Sequence, residues 1–159
     1  MGSGKSRVGK EIAKFYELDH YDTDVEIEKK YEKSIDFIFK KYGEKYFRDI
    51  EETECLKLLD SRNCVISLGG GSIINSKIRE KVKKCSHSIY LKVDIEILRE
   101  RLKKSQKRPL LKNTNTDNVI EKIFNSRQRH YNKADLIIEN NSGPNDIIKK
   151  IINNLKNYE

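Results

Sequence analysis

The first residues of the chain, Gly2-Ser3-Gly4-Lys5-Ser6, have the types and spacing of a phosphate-binding turn. They match the C-terminal part of the pattern G-x-x-x-x-G-K-[ST], in which successive backbone N–H groups point at nucleotide phosphates. The glycines permit backbone angles that a side chain would forbid, the lysine can reach the β- and γ-phosphates, and the serine hydroxyl can ligate Mg²⁺. Taken alone, the same five residues also fit a Gly- and Ser-rich N-terminus without function.

A second candidate group is Asp22-Thr23-Asp24, which closes the first predicted strand. In open α/β sheets ligands bind at the carboxyl ends of the strands, so two carboxylates at this place are candidate ligand-binding groups. The alternative is structural, because Asp and Thr also serve as helix N-caps and first-turn acids.

Two further candidates lie later in the chain. Arg48 and Glu51 follow Gly43-Glu44 and stand one turn apart on one face of a predicted helix, where a structural ion pair is the alternative. Gly69–Gly71 end a second predicted strand after Ser67. Three glycines there let a ligand approach the backbone closely, whereas a flexible turn is the simpler explanation.

The elements that must position these residues alternate between short strand-like runs and amphipathic helical patterns, which predicts an α/β domain with a parallel sheet. The predicted strands are Leu18–Asp22, Cys64–Leu68, Ser88–Val93 and Ala134–Glu139. The predicted helices are Lys5–Tyr16, Thr23–Tyr31, Ile35–Tyr42, Glu44–Asp60, Ser76–Lys83, Ile95–Lys103, Asn118–Tyr131 and Asn145–Asn157. Asn75 and Asp94 stand at predicted N-caps, and Pro144 at a helix start.

Two segments break the alternation. Successive helical patterns between Thr23 and Asp60, with no strand among them, predict a helical insertion at about 23–60. The polar segment Ser105–Asn118, with Pro109 inside it, is predicted to be a mobile loop. Because the sequence shows no repeat or linker, we expect residues 1–159 to form a single domain.

The composition limits the class of protein. The chain has 33 Lys and Arg against 25 Asp and Glu, a net charge of +8, which suits nucleic acid, a membrane surface or small anions. Many lysines stand in short strings next to glutamates on predicted helices and are expected to face solvent. Cys55, Cys64 and Cys85 form no C-x-x-C pair, so neither disulfides nor a zinc site is predicted. No apolar run approaches the ~20 residues that a membrane span needs, and a cytoplasmic protein is expected.

Taken in order, these motifs resemble those of shikimate kinases over essentially the whole chain. That family shows a P-loop, a D-T-D, a G-E…F-R…E helix, a G-G-G turn, an R-P-L-L lid and an R-x-x-x-Y helix. The corresponding segments here are Gly2–Ser6, Asp22–Asp24, Gly43 to Glu51, Gly69–Gly71, Arg108–Leu111 and Arg127 to Tyr131.

The resemblance implies a three-layer αβα P-loop kinase of the nucleoside-monophosphate-kinase type, with a parallel sheet of strand order 2-3-1-4-5. It implies ATP-dependent phosphorylation of shikimate to shikimate 3-phosphate, a step of aromatic amino acid biosynthesis, with Mg²⁺ as cofactor. ATP and shikimate would be the partners. We expect a monomer that binds neither nucleic acid nor membrane.

The resemblance also implies roles for individual residues at the phosphates. Lys5, Asp24 and Arg108 would be catalytic, Asp24 as candidate base on the acceptor hydroxyl and Arg108 by closing the lid over the γ-phosphate. Ser6 and Asp22 would hold Mg²⁺, Asp22 through water and with help from Ser67. The residues implied to bind the nucleotide are Gly2, Ser3, Gly4, Lys5, Ser6, Arg7, Arg101 and Arg108, with Arg101 stacked on adenine.

Other residues are implied at the acceptor. Arg48 and Arg127 would clamp its carboxylate, with the backbone of Gly70 and Gly71 nearby and Glu51 orienting Arg48; Asp24 would bind its hydroxyl. Arginine suits this task because its planar fork grips a carboxylate in bidentate fashion. His20, His87 and His130 match no family motif and are expected at the surface or in packing.

The resemblance also predicts a strand that this sequence does not contain. A P-loop follows a strand, yet Met1 directly precedes Gly2 here, and the first P-loop glycine is absent. We therefore expect about ten further residues ahead of Met1, forming an apolar central strand of about 5–6 residues. The other departure from the family is Arg7, which stands where threonine is common.

Three alternatives stay open at the level of the sequence. A gluconate or nucleotide kinase would share Gly2–Ser6 and a lid, although Asp24, Arg48 and Gly70 together favour shikimate. A basic nucleic-acid-binding module would explain the net charge, although aromatic stacking platforms are not evident. A kinase-like protein without activity is the third, and the intact motif set argues against it.

Overall fold

The computed structural model describes residues 2–103, 116–141 and 144–156. Within them helices and short strands alternate as the sequence predicts. In chain order the elements are α1 (Lys5–Phe15), β1 (Asp19–Asp22), α2 (Thr23–Tyr31), α3 (Ile35–Leu58), β2 (Cys64–Ser67), a 3₁₀ turn (Ser72–Ile74), α4 (Ser76–Cys85), β3 (Ile89–Lys92), α5 (Ile95–Lys103), α6 (Thr116–Tyr131), β4 (Leu136–Glu139) and α7 (Pro144–Leu155).

The helical segment is interrupted at the predicted position. Two helices were expected on either side of Gly43, and the non-helical backbone of Gly43 divides α3 into two helical parts there. Gly43 has φ 83° and ψ 171°, angles that interrupt the helix and that glycine adopts without a steric penalty. The predicted mobile loop Ser105–Asn118 lies outside the described residues except for 116–118, which form the start of α6.

The strands form two parallel pairs. β1 pairs with β2 from Asp19 opposite Cys64 to Asp22 opposite Ser67, and β3 pairs with β4 from Ile89 opposite Leu136 to Lys92 opposite Glu139. If β1 to β4 are strands 2 to 5 of the predicted order 2-3-1-4-5, both observed pairs are neighbours in it. The complete five-stranded order stays a prediction.

The carboxyl ends of both pairs meet at the first turn of the chain. Ser67, at the end of β2, donates from Oγ to the carbonyl of Lys5 at 3.2 Å. Asn140, directly after β4, donates from Nδ2 to the carbonyl of Ser3 at 2.6 Å. The two pairs therefore point the same way, and their ends fix the phosphate-binding turn between them.

Separate apolar clusters pack the helices against the strand pairs and against each other. α1 and α7 bury one face against β3 and β4, whereas α2 and α3 share a cluster of their own that includes Ile27, Ile38 and Phe47. Each fully buried large side chain contributes about 1.5–3 kcal/mol, so the second cluster fixes the part of α3 that carries Arg48. None of the helices in the described ranges combines the length and apolar character that a membrane span requires.

Candidate active site

The turn at the start of the chain has the geometry of an anion site. Gly2 and Gly4 have φ values of 66° and 81°, which glycine alone adopts freely. Gly4 is the N-cap of α1, and because it has no side chain it leaves the first N–H groups of the helix uncapped. Those N–H groups and the positive end of the helix dipole favour a bound phosphate.

Asp22 connects this turn to β1. Its Oδ1 accepts a hydrogen bond from the Asp24 N–H at 3.0 Å, which caps α2. Its Oδ2 accepts from Lys5 Nζ at 3.2 Å and from Ser6 Oγ. Asp22 is therefore a helix N-cap, which was the structural alternative for this residue. The second oxygen of the same carboxylate, however, faces the phosphate-binding residues.

The electrostatics keep Asp22 ionised. Burial by itself would raise the pKa of this carboxyl, but the hydrogen bond from Ser6 and the positive charge of Lys5 outweigh it and hold the pKa below its usual value. A charged oxygen and a hydroxyl are therefore available side by side to a hard cation.

The donors at this place fit Mg²⁺ that arrives with a nucleotide. Mg²⁺ prefers oxygen ligands and usually takes one or two from the protein, with the remainder from phosphates and water. Ser6 and Asp22 supply that number. In the described part of the chain no group of three or more His, Cys, Asp or Glu could hold a metal by itself.

Asp24 lies in the first turn of α2, against the glycine turn that follows β2. Its Oδ2 is 3.9 Å from Lys5 Nζ. A Cβ at Gly69 would lie 2.8 Å from Asp24 Oδ1, so a side chain at residue 69 would displace this carboxylate. The Gly69 N–H donates to Thr23 Oγ1 at 2.8 Å, and the fully buried Thr23 thereby ties the glycine turn to the start of α2.

Arg48 approaches the same glycine turn from α3. It donates to Glu51 at 2.7 Å and to Glu44 at 3.1 Å, so the ion pair indicated by the spacing is present. Glu51 is buried and also accepts from Ser72 Oγ at 2.8 Å, which fixes its position. A Cβ at Gly71 would lie 2.5 Å from Arg48 Nη1. Glycine at residue 71 therefore lets the guanidinium rest on the backbone.

Arg127 reaches this region from α6. It is buried, with 5% of its surface exposed, and its Nε has no hydrogen-bond partner within the described residues. Arg127 and Arg48 line one cavity of about 450 Å³ together with Gly71 and Glu44. A buried polar donor without a partner costs free energy, so this cavity favours a ligand that brings acceptors.

The remaining implied nucleotide residues are less closely grouped. Arg101 donates to the carbonyls of Gly2 at 3.2 Å and Asn140 at 3.4 Å, which places it beside the phosphate turn. Arg7 is exposed in the first turn of α1. Arg108 lies outside the described residues. The structure therefore gathers Lys5, Ser6, Asp22 and Asp24 in one place and Arg48, Gly71 and Arg127 around another cavity, whose lining does not include Gly70.

Comparison with known proteins assigns this arrangement to a family. A family model described as shikimate kinase matches residues 1–156. The chain belongs to the shikimate kinase family. A shikimate kinase from Bartonella henselae is 39% identical over 159 residues, which cover 99% of this chain and 76% of that relative.

Solved structures agree with the assignment. The shikimate kinase from Acinetobacter baumannii in complex with shikimate superposes with a TM-score of 0.95 at 31% identity, covering all of this chain and 90% of the other. The enzyme from Aquifex aeolicus has a TM-score of 0.86 at 35% identity, covering 98% and 92%. The predicted family, kinase class and P-loop fold are confirmed, and the gluconate kinase, nucleotide kinase and nucleic-acid-binding alternatives lose their support.

Sequence reasoning missed several residues that shape this shikimate kinase site. Asn140 is buried and holds the Ser3 carbonyl, and Tyr131 donates its hydroxyl to the Gly70 carbonyl. The ring of Tyr131 stacks on Tyr90, with centroids 5.0 Å apart, while its hydroxyl fixes the glycine turn. A lone Asn after a strand carries no sequence signal for such a contact.

His20 also helps to hold the phosphate-binding turn in place, through Ser67. Its Nε2 lies 3.0 Å from Ser67 Oγ, and Ser67 in turn donates to the Lys5 carbonyl. A Cβ at Gly9 would lie 2.5 Å from Ser67 Oγ and 3.0 Å from His20 Nε2, so glycine at this position of α1 makes room for the pair. Ser67, which the family resemblance implies beside Asp22 and the metal, donates its hydroxyl proton to the phosphate turn.

The chemistry of the partners decides which group donates in the two hydrogen bonds of Ser67. A carbonyl accepts and cannot donate, so the single Ser67 proton points to Lys5 and the Ser67 oxygen must accept from His20 Nε2. Burial lowers the pKa of His20, and Lys5 and Lys10 lower it further while Asp22 opposes them. The ring is therefore neutral at pH 7 with its proton on Nε2, and it orients Ser67 toward the turn.

Proposed function

We propose that this chain transfers the γ-phosphoryl group of ATP to shikimate and releases shikimate 3-phosphate. One observation carries the proposal: the turn Gly69–Gly71 touches Asp24 beside the phosphate-binding residues at one end and Arg48 in the arginine-lined cavity at the other. A small acid with a hydroxyl group fits this pair of sites. Its carboxylate would face the arginines and its hydroxyl would face Asp24.

On the nucleotide side, the backbone of Gly2 to Ser6 and the Lys5 ammonium bind the phosphates. Ser6 and Asp22 would hold Mg²⁺, which when bound supplies positive charge beside the phosphate oxygens. Arg7, Arg101 and Arg108 are proposed nucleotide contacts by resemblance to the family. Phosphoryl transfer asks the protein chiefly for positioning and for positive charge at the transferring oxygens, and Lys5 provides the latter.

On the acceptor side, Asp24 orients the hydroxyl and accepts its proton late in the transfer. Arg48 and Arg127 bind the carboxylate, and Gly71 leaves room for the Arg48 guanidinium. Glu51 and Glu44 hold that guanidinium in place before substrate arrives, which lowers the entropic cost of binding. We propose that the enzyme acts as a cytoplasmic monomer without a nucleic-acid or membrane partner.

The decisive experiment measures ADP release with ATP and Mg²⁺ in the presence of one acceptor at a time. Shikimate is expected to support turnover, whereas gluconate and nucleoside monophosphates leave the rate at the background of the enzyme without acceptor. Equal rates with and without shikimate would refute the proposed function, and turnover with one of the other acceptors would reassign it.

Replacing Arg48 or Arg127 by lysine is expected to lower kcat/KM for shikimate by about ten- to a hundredfold, with the KM for ATP changed little. Lysine keeps the charge but loses the bidentate fork, and a charge-assisted hydrogen bond is worth about 1.5–3 kcal/mol. Steady-state kinetics with each substrate varied measures both constants. Arg129→Lys, an exposed position on the same helix as Arg127, is the control. Normal shikimate kinetics in both variants would exclude these arginines from the carboxylate site.

His20→Leu is expected to raise the KM for ATP about three- to tenfold while the KM for shikimate stays unchanged. The change removes the donor that orients Ser67, and one hydrogen bond is worth about 0.5–1.5 kcal/mol. His20→Gln places an amide N–H where Nε2 was, so its KM for ATP should stay within about twofold of that of the unmodified enzyme. Similar losses in both variants would mean that His20 acts through packing and not through its hydrogen bond.

A further inference from the structure

The 3₁₀ turn that follows the glycine turn begins with a buried serine. Ser72 has none of its surface exposed, although serine usually lies at the protein surface. Its N–H donates to the Gly69 carbonyl at 3.1 Å, and the Asn75 N–H donates to the Ser72 carbonyl at 3.1 Å. The backbone of Ser72 is therefore satisfied within the turn, and its hydroxyl group is left for a side-chain partner.

The partner of this hydroxyl is Glu51 of α3. Ser72 Oγ donates to Glu51 Oε1 at 2.8 Å, while Glu51 Oε2 accepts from Arg48 Nη1 at 2.7 Å. Because Glu51 has only 3% of its surface exposed, water does not readily replace a partner that it loses. Ser72, Glu51 and Arg48 thus form one chain of hydrogen bonds that leads into the acceptor cavity.

Three side-chain oxygens converge on Gly69. A Cβ at this position would lie 2.8 Å from Asp24 Oδ1, 2.9 Å from Glu51 Oε1 and 2.9 Å from Ser72 Oγ. Two of these oxygens belong to carboxylates, and like charges that lie close together repel each other. The Ser72 hydroxyl is the hydrogen-bond donor among the three, so it offsets this repulsion and holds Glu51 in its place.

Cys55, one turn after Glu51 in α3, faces the same hydroxyl group. Burial raises the pKa of the Cys55 thiol to about 12; the charges of Glu51 and Asp24 add to this shift, and the Ser72 hydroxyl opposes it. The thiol is therefore neutral at pH 7 and adds no third negative charge. Because a thiol is a weak donor, Cys55 is a poor substitute for the Ser72 hydroxyl at Glu51.

The turn that carries Ser72 is also held from its other side. Arg79 of α4 donates to the Ile73 carbonyl at 3.0 Å and to the Ile74 carbonyl, and the Ile74 N–H donates to the Gly71 carbonyl at 3.0 Å. None of these contacts involves an acceptor molecule. Ser72 is therefore in position before a substrate binds.

We propose that Ser72 is a positioning residue of the acceptor site, which acts through Glu51 to hold the Arg48 guanidinium in the orientation that binds the acceptor carboxylate. The inference rests on the proposed function, because shikimate supplies that carboxylate. Without the hydroxyl, Glu51 is free to turn away from Asp24, and Arg48 keeps only its contact with the exposed Glu44. Ordering the guanidinium then costs conformational entropy when the acceptor binds.

The first test is a cycle of four enzymes: the unmodified chain, Ser72→Ala, Glu51→Ala and the double variant. Ser72→Ala is expected to lower kcat/KM for shikimate about five- to thirtyfold, mainly through KM, while the KM for ATP stays within about twofold of normal. In the Glu51→Ala background the same change should alter kcat/KM by less than about twofold, because the hydroxyl has no carboxylate to hold. Ser76→Ala, at the exposed first residue of α4, is the matched control and should have normal constants.

A second measurement needs no acceptor. ¹⁵N NMR of arginine side chains in the ligand-free enzyme, with Arg48→Lys to assign the signal, follows exchange of the Arg48 Nε–H with water. Ser72→Ala is expected to speed this exchange at least about fivefold and to leave the Arg127 signal unchanged.

The outcomes separate this inference from the proposed function. Equal losses from Ser72→Ala with and without Glu51 would overturn the inference, because Ser72 would then act by shaping the glycine turn. Unchanged exchange at Arg48 would also overturn it. An unmodified enzyme that does not turn over shikimate would refute the proposed function alone, and the exchange of the Arg48 Nε–H would still decide whether Ser72 positions the guanidinium.

Discussion

Lys5→Met is expected to lower kcat/KM for ATP by about 10²–10³-fold, with effects on both kcat and KM. The Lys5 ammonium lies 3.2 Å from Asp22 and 3.9 Å from Asp24, between the two carboxylates that we propose for the metal and the acceptor. When ATP binds, the same charge is available to the β- and γ-phosphate oxygens. Loss of one preorganised electrostatic contact to a transition state costs about 2.7–4 kcal/mol, which corresponds to the expected loss in rate.

Two controls separate this effect from a general disturbance of the fold. Lys10→Met removes an exposed charge from the same helix and should leave both kinetic constants within about twofold of their normal values. The Tm of Lys5→Met should stay within a few degrees, because Asp22 keeps its bonds to Ser6 and to the Asp24 N–H. A variant that is stable and retains more than a tenth of the normal kcat/KM would show that Lys5 does not stabilise the transferring phosphate.

The sequence predicts those parts of the candidate site whose residues lie at the ends of strands. Asp22 and Asp24 follow β1, and Gly69 follows β2, so the parallel pairing of these strands brings the groups together at one edge. The choice between a helix cap and a ligand for Asp22 could not be made from the pattern. One Asp22 oxygen caps α2 and the other faces Lys5 and Ser6, and a sequence does not show the orientation of a side chain.

The parts that the sequence does not reveal depend on contacts between distant residues and backbone carbonyls. Asn140 binds the carbonyl of Ser3, and Ser67 binds that of Lys5 with support from His20. Backbone carbonyls are present at every position, so no residue type marks the partner. The break at Gly43 is predicted from the sequence as a boundary between two helical patterns, because glycine marks it, and the structure has non-helical backbone angles at this residue.

Charge balance explains how one cavity can hold the partly buried Arg48 and the buried Arg127. Arg48 is paired with Glu51 and Glu44, and these carboxylates hold the pKa of Arg48 above its usual value although burial alone would lower it. Arg127 has no carboxylate within ion-pair distance in the described part of the chain. The net charge of the cavity then depends on its ligand, and an anionic acceptor supplies the compensation.

Asp24→Asn is expected to lower kcat by about 10²–10³-fold while the KM for ATP changes by less than about threefold. Asparagine has nearly the same size, so the contact with Gly69 is kept, but the amide cannot accept the proton of the acceptor hydroxyl. The effect falls on kcat because this proton moves after ATP and the acceptor are already bound. Initial rates at saturating shikimate, with ATP varied, give both constants.

The size of the loss in kcat also shows whether Asp24 acts mainly as a base or mainly by orienting the acceptor hydroxyl. In a loose phosphoryl-transfer transition state the acceptor proton leaves late, so orientation of the hydroxyl accounts for much of the rate. Asp24→Glu keeps the base but moves it by one methylene, and if orientation dominates its kcat should fall nearly as far as that of Asp24→Asn. Glu26→Gln, a carboxylate-to-amide change on the same helix, should have a normal kcat. An Asp24→Asn enzyme with kcat within about threefold of normal would remove Asp24 from the reaction altogether.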